Sequence, residues 1–152
     1  MKTLVLGLGN PILSDDSVGF RVIQQLKASF DTPDLILVES SASGLTLLDL
    51  ISGYDKVIII DAIKTGGGEA GKIYRLGAEN LGAIRHSASP HDINLATALE
   101  LGKKLGAALP QQIIIFAIEV VDVTTFSEKC TPEVEKAIPL AASIVAEELD
   151  SG

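Results

Sequence analysis

Apolar residues fall along this chain in two kinds of run. Short unbroken runs, TLVLG at 3–7, LILVE at 35–39, KVIIID at 56–61 and IIIFAIEV at 113–120, lack polar alternation and predict strands buried on both faces. Between them the apolar positions recur at helical spacing. Over 16–29, Val18, Val22, Ile23 and Leu26 share one face, and Gly44 to Ile51 reads as a second helix, ended near Gly53. Asp92 to Leu105 forms a third, and Thr131-Pro132-Glu133 opens the last with a hydroxyl cap and a proline at the first helical position. KTGGGEAGKIYRLG supplies turn glycines before a short edge or hairpin strand near 71–76. Strands alternating with helices predict an α/β three-layer sandwich, a mostly parallel twisted sheet of about five strands with helices on both faces.

Composition narrows the class. The 152 residues show no linker or low-complexity stretch and predict one domain over 1–152, large enough to bury a core unaided. A formal charge of −8 repels phosphate backbones and anionic lipid heads, so nucleic acid and membrane surfaces are poor partners. Cys130 is the only cysteine, which excludes an intrachain disulfide and a Cys-rich zinc site and fits a reducing cytoplasm. The apolar run from Leu4 to Leu8 is too short for a signal-peptide core or a membrane span.

The candidate chemistry gathers in GLGNPILSDDSVG at 7–19, a glycine turn between the first strand and the first helix. Ligands of open α/β sheets bind outside the carboxyl ends of the strands. A dinucleotide fingerprint fails on spacing, because Ile12 stands where a third glycine belongs, and no Walker lysine follows. Asp15 and Asp16 adjoin at the helix start, where capping needs only one acid; Asp15 is the better structural cap. Asp61 closes the third strand directly after four apolar residues, and His91 lies in the loop SASPHD before a helix. Asp16, Asp61 and His91 together form a workable shell for a borderline divalent ion, with the remaining positions open to water or substrate. Two have a plainer reading: Asp16 as a first-turn acid favoured by the helix dipole, and His91 as a loop residue near an Asp92 cap, with His86 the competing imidazole, whereas surface solvation explains Asp61 poorly. Gly7, Gly9 and Asn10 offer backbone donors to a bound peptide and Gly44 a close approach, or the glycines simply make tight connections. There is no HExxH and no serine or cysteine with an evident base partner.

GLGNPILSDDSVGF, the strand ending VIIIDA, SPHDINLATAL and the tail IEVVDVTTFSEKCTPEVEKAIP, in that order, resemble the hydrogenase maturation endopeptidases over nearly the whole length. The resemblance implies a phosphorylase/hydrolase-like fold and a monomeric cytoplasmic protease. It implies removal of the C-terminal extension of a [NiFe]-hydrogenase large-subunit precursor after nickel insertion, with nickel as the recognition element. By the family's pattern the nickel contacts fall on Asp16, Asp61 and His91, the nickel being supplied by the substrate and replaceable by zinc or cadmium. Asp16 stands where the family often has glutamate, and Glu39, ending strand two, where it commonly has aspartate. Two mechanisms fit: the metal polarises the scissile carbonyl or a water, or Asp16 or Asp61 acts as general base while nickel positions the peptide. The alternative is a non-catalytic nickel-checkpoint or chaperone-like module that binds the precursor without cutting it.

Overall fold

The computed structural model describes residues 2–42, 44–77 and 99–150. Among the described residues five strands form one sheet: β1 (Thr3–Leu8), β2 (Leu35–Ser40), β3 (Lys56–Ile63), β4 (Ile73–Gly77) and β5 (Gln112–Glu119), in the order β2-β1-β3-β5-β4. Four are parallel, and β4 pairs antiparallel to β5 at one edge, the edge role the glycine-rich segment predicts. The described helices are α1 (Val18–Lys27), α2 (Gly44–Ile51), α3 (99–105) and α4 (Pro132–Asp150); the rest of the helix expected from Asp92 lies outside the described residues.

β1, β3 and β5 are buried on both sides, which accounts for their unbroken apolar runs. On one face Val5, Ile58, Ile60 and Phe116 pack against Val22 and Ile23 of α1 and Val134 and Val145 of α4. On the other, Leu4, Leu6, Ile59 and Ile115 meet Leu47 and Ile51 of α2 and Leu99 of α3. The expected face of α1, Val18, Val22, Ile23 and Leu26, is buried throughout.

Two expectations change. The first helix starts later than residue 16, because Ser14–Ser17 winds as a separate 3-10 turn before α1. β3 also continues past Asp61, since Ala62 and Ile63 keep pairing with Ile118 and Glu119 of β5. Asp61 is therefore an interior strand residue, paired with Ala117, and not the strand's end.

α1 lies unusually close to the sheet. A methyl group at Gly19 would stand 2.5 Å from the Ile60 carbonyl oxygen and 2.6 Å from that of Leu8. One at Gly7 would stand 2.5 Å from the Gly19 carbonyl oxygen. These glycines let the helix that follows the candidate site seat directly on β1 and β3.

Candidate active site

The strand order sets the place. β1 has β2 on one side and β3 on the other, so connections leave in opposite directions and open a crevice between β1 and β3 at their carboxyl ends. Asp16 follows β1 across that crevice, and Asp61 lies one residue beyond the Gly7–Ile60 pair that joins the two strands. The turn bearing Asp16 packs against β3.

Asp61 is fully buried, and its Oδ1 accepts the Ala62 N–H at 2.8 Å. Strand alternation puts it on the face of Ile59 and Ile63, toward α2. Asp16 is 7% exposed; its N–H donates to the Leu13 carbonyl at 2.9 Å and its carbonyl accepts the Asn10 N–H at 3.2 Å. Gly9, at φ 145°, packs on that Asp16 carbonyl so closely that no side chain fits between them. Asn10 closes the turn by accepting the Ile12 N–H on Oδ1 at 3.1 Å.

The two adjacent aspartates have separate fates. Neither caps the helix it precedes. Asp15 is fully buried and turns to the loop between β5 and α4, where its Oδ2 accepts the Val121 and Asp122 N–H groups, each at 3.0 Å. Its Oδ1 accepts the Thr131 N–H at 2.6 Å, and the Thr131 hydroxyl reaches both oxygens at 3.0 and 2.9 Å. The hydroxyl expected to cap α4 is thus engaged by Asp15. Ser14, at φ 42°, is the one described non-glycine residue with positive φ, and its N–H is held by the Ser127 carbonyl at 2.9 Å. A strained residue held this way fixes the aim of the next two side chains.

The other sequence candidates distribute as follows. Gly7 is buried under α1, and Gly44 opens α2 just past β2. Glu39 aligns with Gly7, which aligns with Ile60, so it lies on the α1 face, opposite to Asp61. His91 and His86 lie outside the described residues. Among the described residues no group of three or more His, Cys, Asp or Glu side chains is arranged to hold a metal ion, and no helix is long and apolar enough to cross a membrane.

Two residues at this edge carry roles that periodicity does not single out. The Ser41 hydroxyl donates to the Gly9 carbonyl at 2.8 Å, tying the β2–α2 connection to the turn before Asp16. Glu119, 2% exposed, accepts the Thr65 N–H at 2.9 Å, the Thr65 hydroxyl at 2.7 Å and the Tyr74 hydroxyl at 3.1 Å. Burial, followed by the bond to Glu119, pushes the Tyr74 phenol above its usual range. Only the acid inside an apolar strand could have flagged Glu119, the same signal that flags Asp61.

Known proteins of similar build include several hydrogenase maturation proteases. Residues 20–148 match the family model for hydrogenase maturation protease. The Hydrogenase 2 maturation protease of Escherichia coli is 33% identical over 101 residues, 65% of this chain and 62% of that protein's own length. The structure superposes on the hydrogenase maturating endopeptidase HybD from E. coli with a TM-score of 0.87 at 28% identity, covering 100% of this chain and 94% of that one. The [NiFe] hydrogenase maturation protease HybD from Thermococcus kodakarensis gives a TM-score of 0.71 at 25% identity, covering 98% and 99%. With its sheet order, its close-packed first helix and this match over most of its length, the chain belongs to the hydrogenase maturation proteases, a family of peptidases.

Proposed function

We propose that this chain removes the C-terminal extension of a [NiFe]-hydrogenase large-subunit precursor once nickel is in place, acting as a cytoplasmic monomer with nickel as the recognition element. The observation that carries the reading is the pair Asp16 and Asp61 flanking the β1/β3 crevice in a member of this family. Nickel arrives as part of the substrate. The carboxylates of Asp16 and Asp61, joined by the His91 imidazole, are an oxygen and nitrogen donor set that suits it and would also accept zinc or cadmium.

Within the chain, each side chain has a task. Asp16 or Asp61 takes a proton from the attacking water and returns it to the amine nitrogen as the scissile bond breaks. Asp15 holds the Ser14–Ser17 turn from behind, so Asp16 need not reorganise when substrate enters. The Gly9–Asn10 turn lines the approach of the substrate chain, and Gly44, at the start of α2, allows a close backbone approach beside it.

The test is the intact mass of nickel-loaded precursor before and after incubation with this protein. Loss of the C-terminal extension with the wild-type chain, and none with Asp16→Asn, supports the reading. Binding with unchanged mass would make the chain a non-catalytic checkpoint.

A further inference from the structure

Among the described residues, seven large apolar side chains are exposed, and three of them, Ile12, Val121 and Phe126, sit on the two loops that frame the Asp16 turn. The other four, Ile36, Leu101, Leu105 and Leu140, are scattered over β2, α3 and α4. Single exposed apolar residues are ordinary, whereas several on one edge mark a contact surface. Phe126 is 81% exposed, the most of any described large apolar residue.

Its backbone is not loose. Before it, Asp122 Oδ1 accepts the Thr124 and Thr125 N–H groups, each at 3.0 Å. After it, the Ser127 N–H donates to the Ile12 carbonyl at 2.9 Å, and Leu13 and Ser127 form a parallel bridge. The Lys129 N–H closes on the Ser127 hydroxyl at 3.1 Å. Val121 is tied in turn by its N–H to Asp15, the residue beside Asp16. An aromatic ring projected into water from a pinned loop loses little freedom when it binds, the property of an interface anchor.

We propose that Ile12, Val121 and Phe126 are the docking surface for the folded body of the protein substrate, which presents an apolar recess to the Phe126 ring. The proposal rests on the reading that this chain acts on a protein precursor. A protein whose backbone reaches Asp16 must lie across the neighbouring loops, and these are the loops to which Asp15 binds the Asp16 turn. A second copy of this chain fits the surface poorly, because pairing through it would cover both candidate sites.

The test compares Phe126→Ser, Val121→Ser, Phe126→Trp and, on α3 away from this edge, Leu105→Ser, using the nickel-loaded large-subunit precursor as probe. KM, kcat and calorimetric Kd are measured for each, with thermal melting as the folding control; Phe126 is exposed, so its replacement leaves the core intact. The expected result is a tenfold or greater rise in KM and Kd for Phe126→Ser, kcat within twofold, near wild-type values for Phe126→Trp, and no change for Leu105→Ser. Cleavage with KM and Kd unchanged in Phe126→Ser and Val121→Ser overturns the docking surface and leaves the proteolytic reading intact. Binding that depends on Phe126 without cleavage upholds the surface and removes the proteolytic reading, and absence of both overturns the two together. A wild-type dimer that Phe126→Ser converts to monomer assigns the surface to a second copy and also overturns the proposal.

Discussion

The carboxylate of Asp15 accepts both the backbone N–H of Thr131, at 2.6 Å, and its hydroxyl, at 2.9 Å, joining the first turn of the chain to the start of its last helix. Asparagine offers one acceptor oxygen where aspartate offers two, and it directs an NH₂ group at buried donors. Asp15→Asn should cost about 3 kcal/mol, in keeping with buried hydrogen bonds to a charged group. Calorimetry should register a fall in Tm of roughly 10 °C.

Asp16→Asn and Asp61→Asn should behave differently from Asp15→Asn. Each keeps volume and removes negative charge, so precursor processing should fall by roughly 100-fold or more while far-UV circular dichroism stays native. Were Asp16 simply a first-turn acid, asparagine would serve nearly as well. Full processing by both variants, read by intact mass, would sink the assignment.

Gly19→Ala tests the seating of α1. The added methyl meets two backbone carbonyls, at 2.5 and 2.6 Å, and neither can swing aside as a side chain would. Urea unfolding should register a loss of about 3 kcal/mol, the upper range for overpacking. An unaltered midpoint would mean that α1 rides farther from β1 and β3.

Lys56, 3% exposed, pairs with Glu148 at 2.9 Å, and Arg75 reaches the same carboxylate at 2.9 Å. Burial pushes the Glu148 acid up, but the bonds from Arg75 and Lys56 outweigh it and its pKa is lowered. Glu148→Gln leaves the buried ammonium without its counter-charge and should cost about 3 kcal/mol. Arg75→Ala should cost under about 1 kcal/mol, because that guanidinium is largely in water.

Asp122 should titrate at about 2, below its ordinary 3.8, chiefly through the bonds from the side chain and backbone of Thr125 and the backbone of Thr124. Its folded pKa is the lower one, so the contribution to loop order is fully present above 3.8 and is lost as pH falls through about 2. Carboxyl NMR shifts give the midpoint directly. Thr125→Val should move it back toward 3.8, and a midpoint already there in the wild type would contradict the loop geometry.

The sheet was readable because strands buried on both faces leave unbroken apolar runs, and KVIIID and IIIFAIEV are of that kind. Asp61 is legible as an acid that solvation does not explain, but the apolar run alone places it at a strand end, whereas its spacing from Ile59 and Ile63 puts it inside the ladder on the α2 face. Which of Asp15 and Asp16 is structural was half legible. Position alone favoured Asp15, but as a cap on its own helix, whereas its partners lie 106 to 116 residues away. Local patterns carry no trace of such a bond. Glu119 shows locally only as an acid in an apolar strand, and its partners Thr65 and Tyr74 stand 54 and 45 residues from it.

A ribosome delivers the Asp16 turn more than a hundred residues before the groups that hold it. Until Val121, Asp122 and Thr131 have left the exit tunnel, the Asp15 carboxylate has none of these partners and the turn beside it lacks its support. The turn would then be fixed only after Thr131 has emerged, so that a shorter nascent piece carries no formed site among other emerging polypeptides.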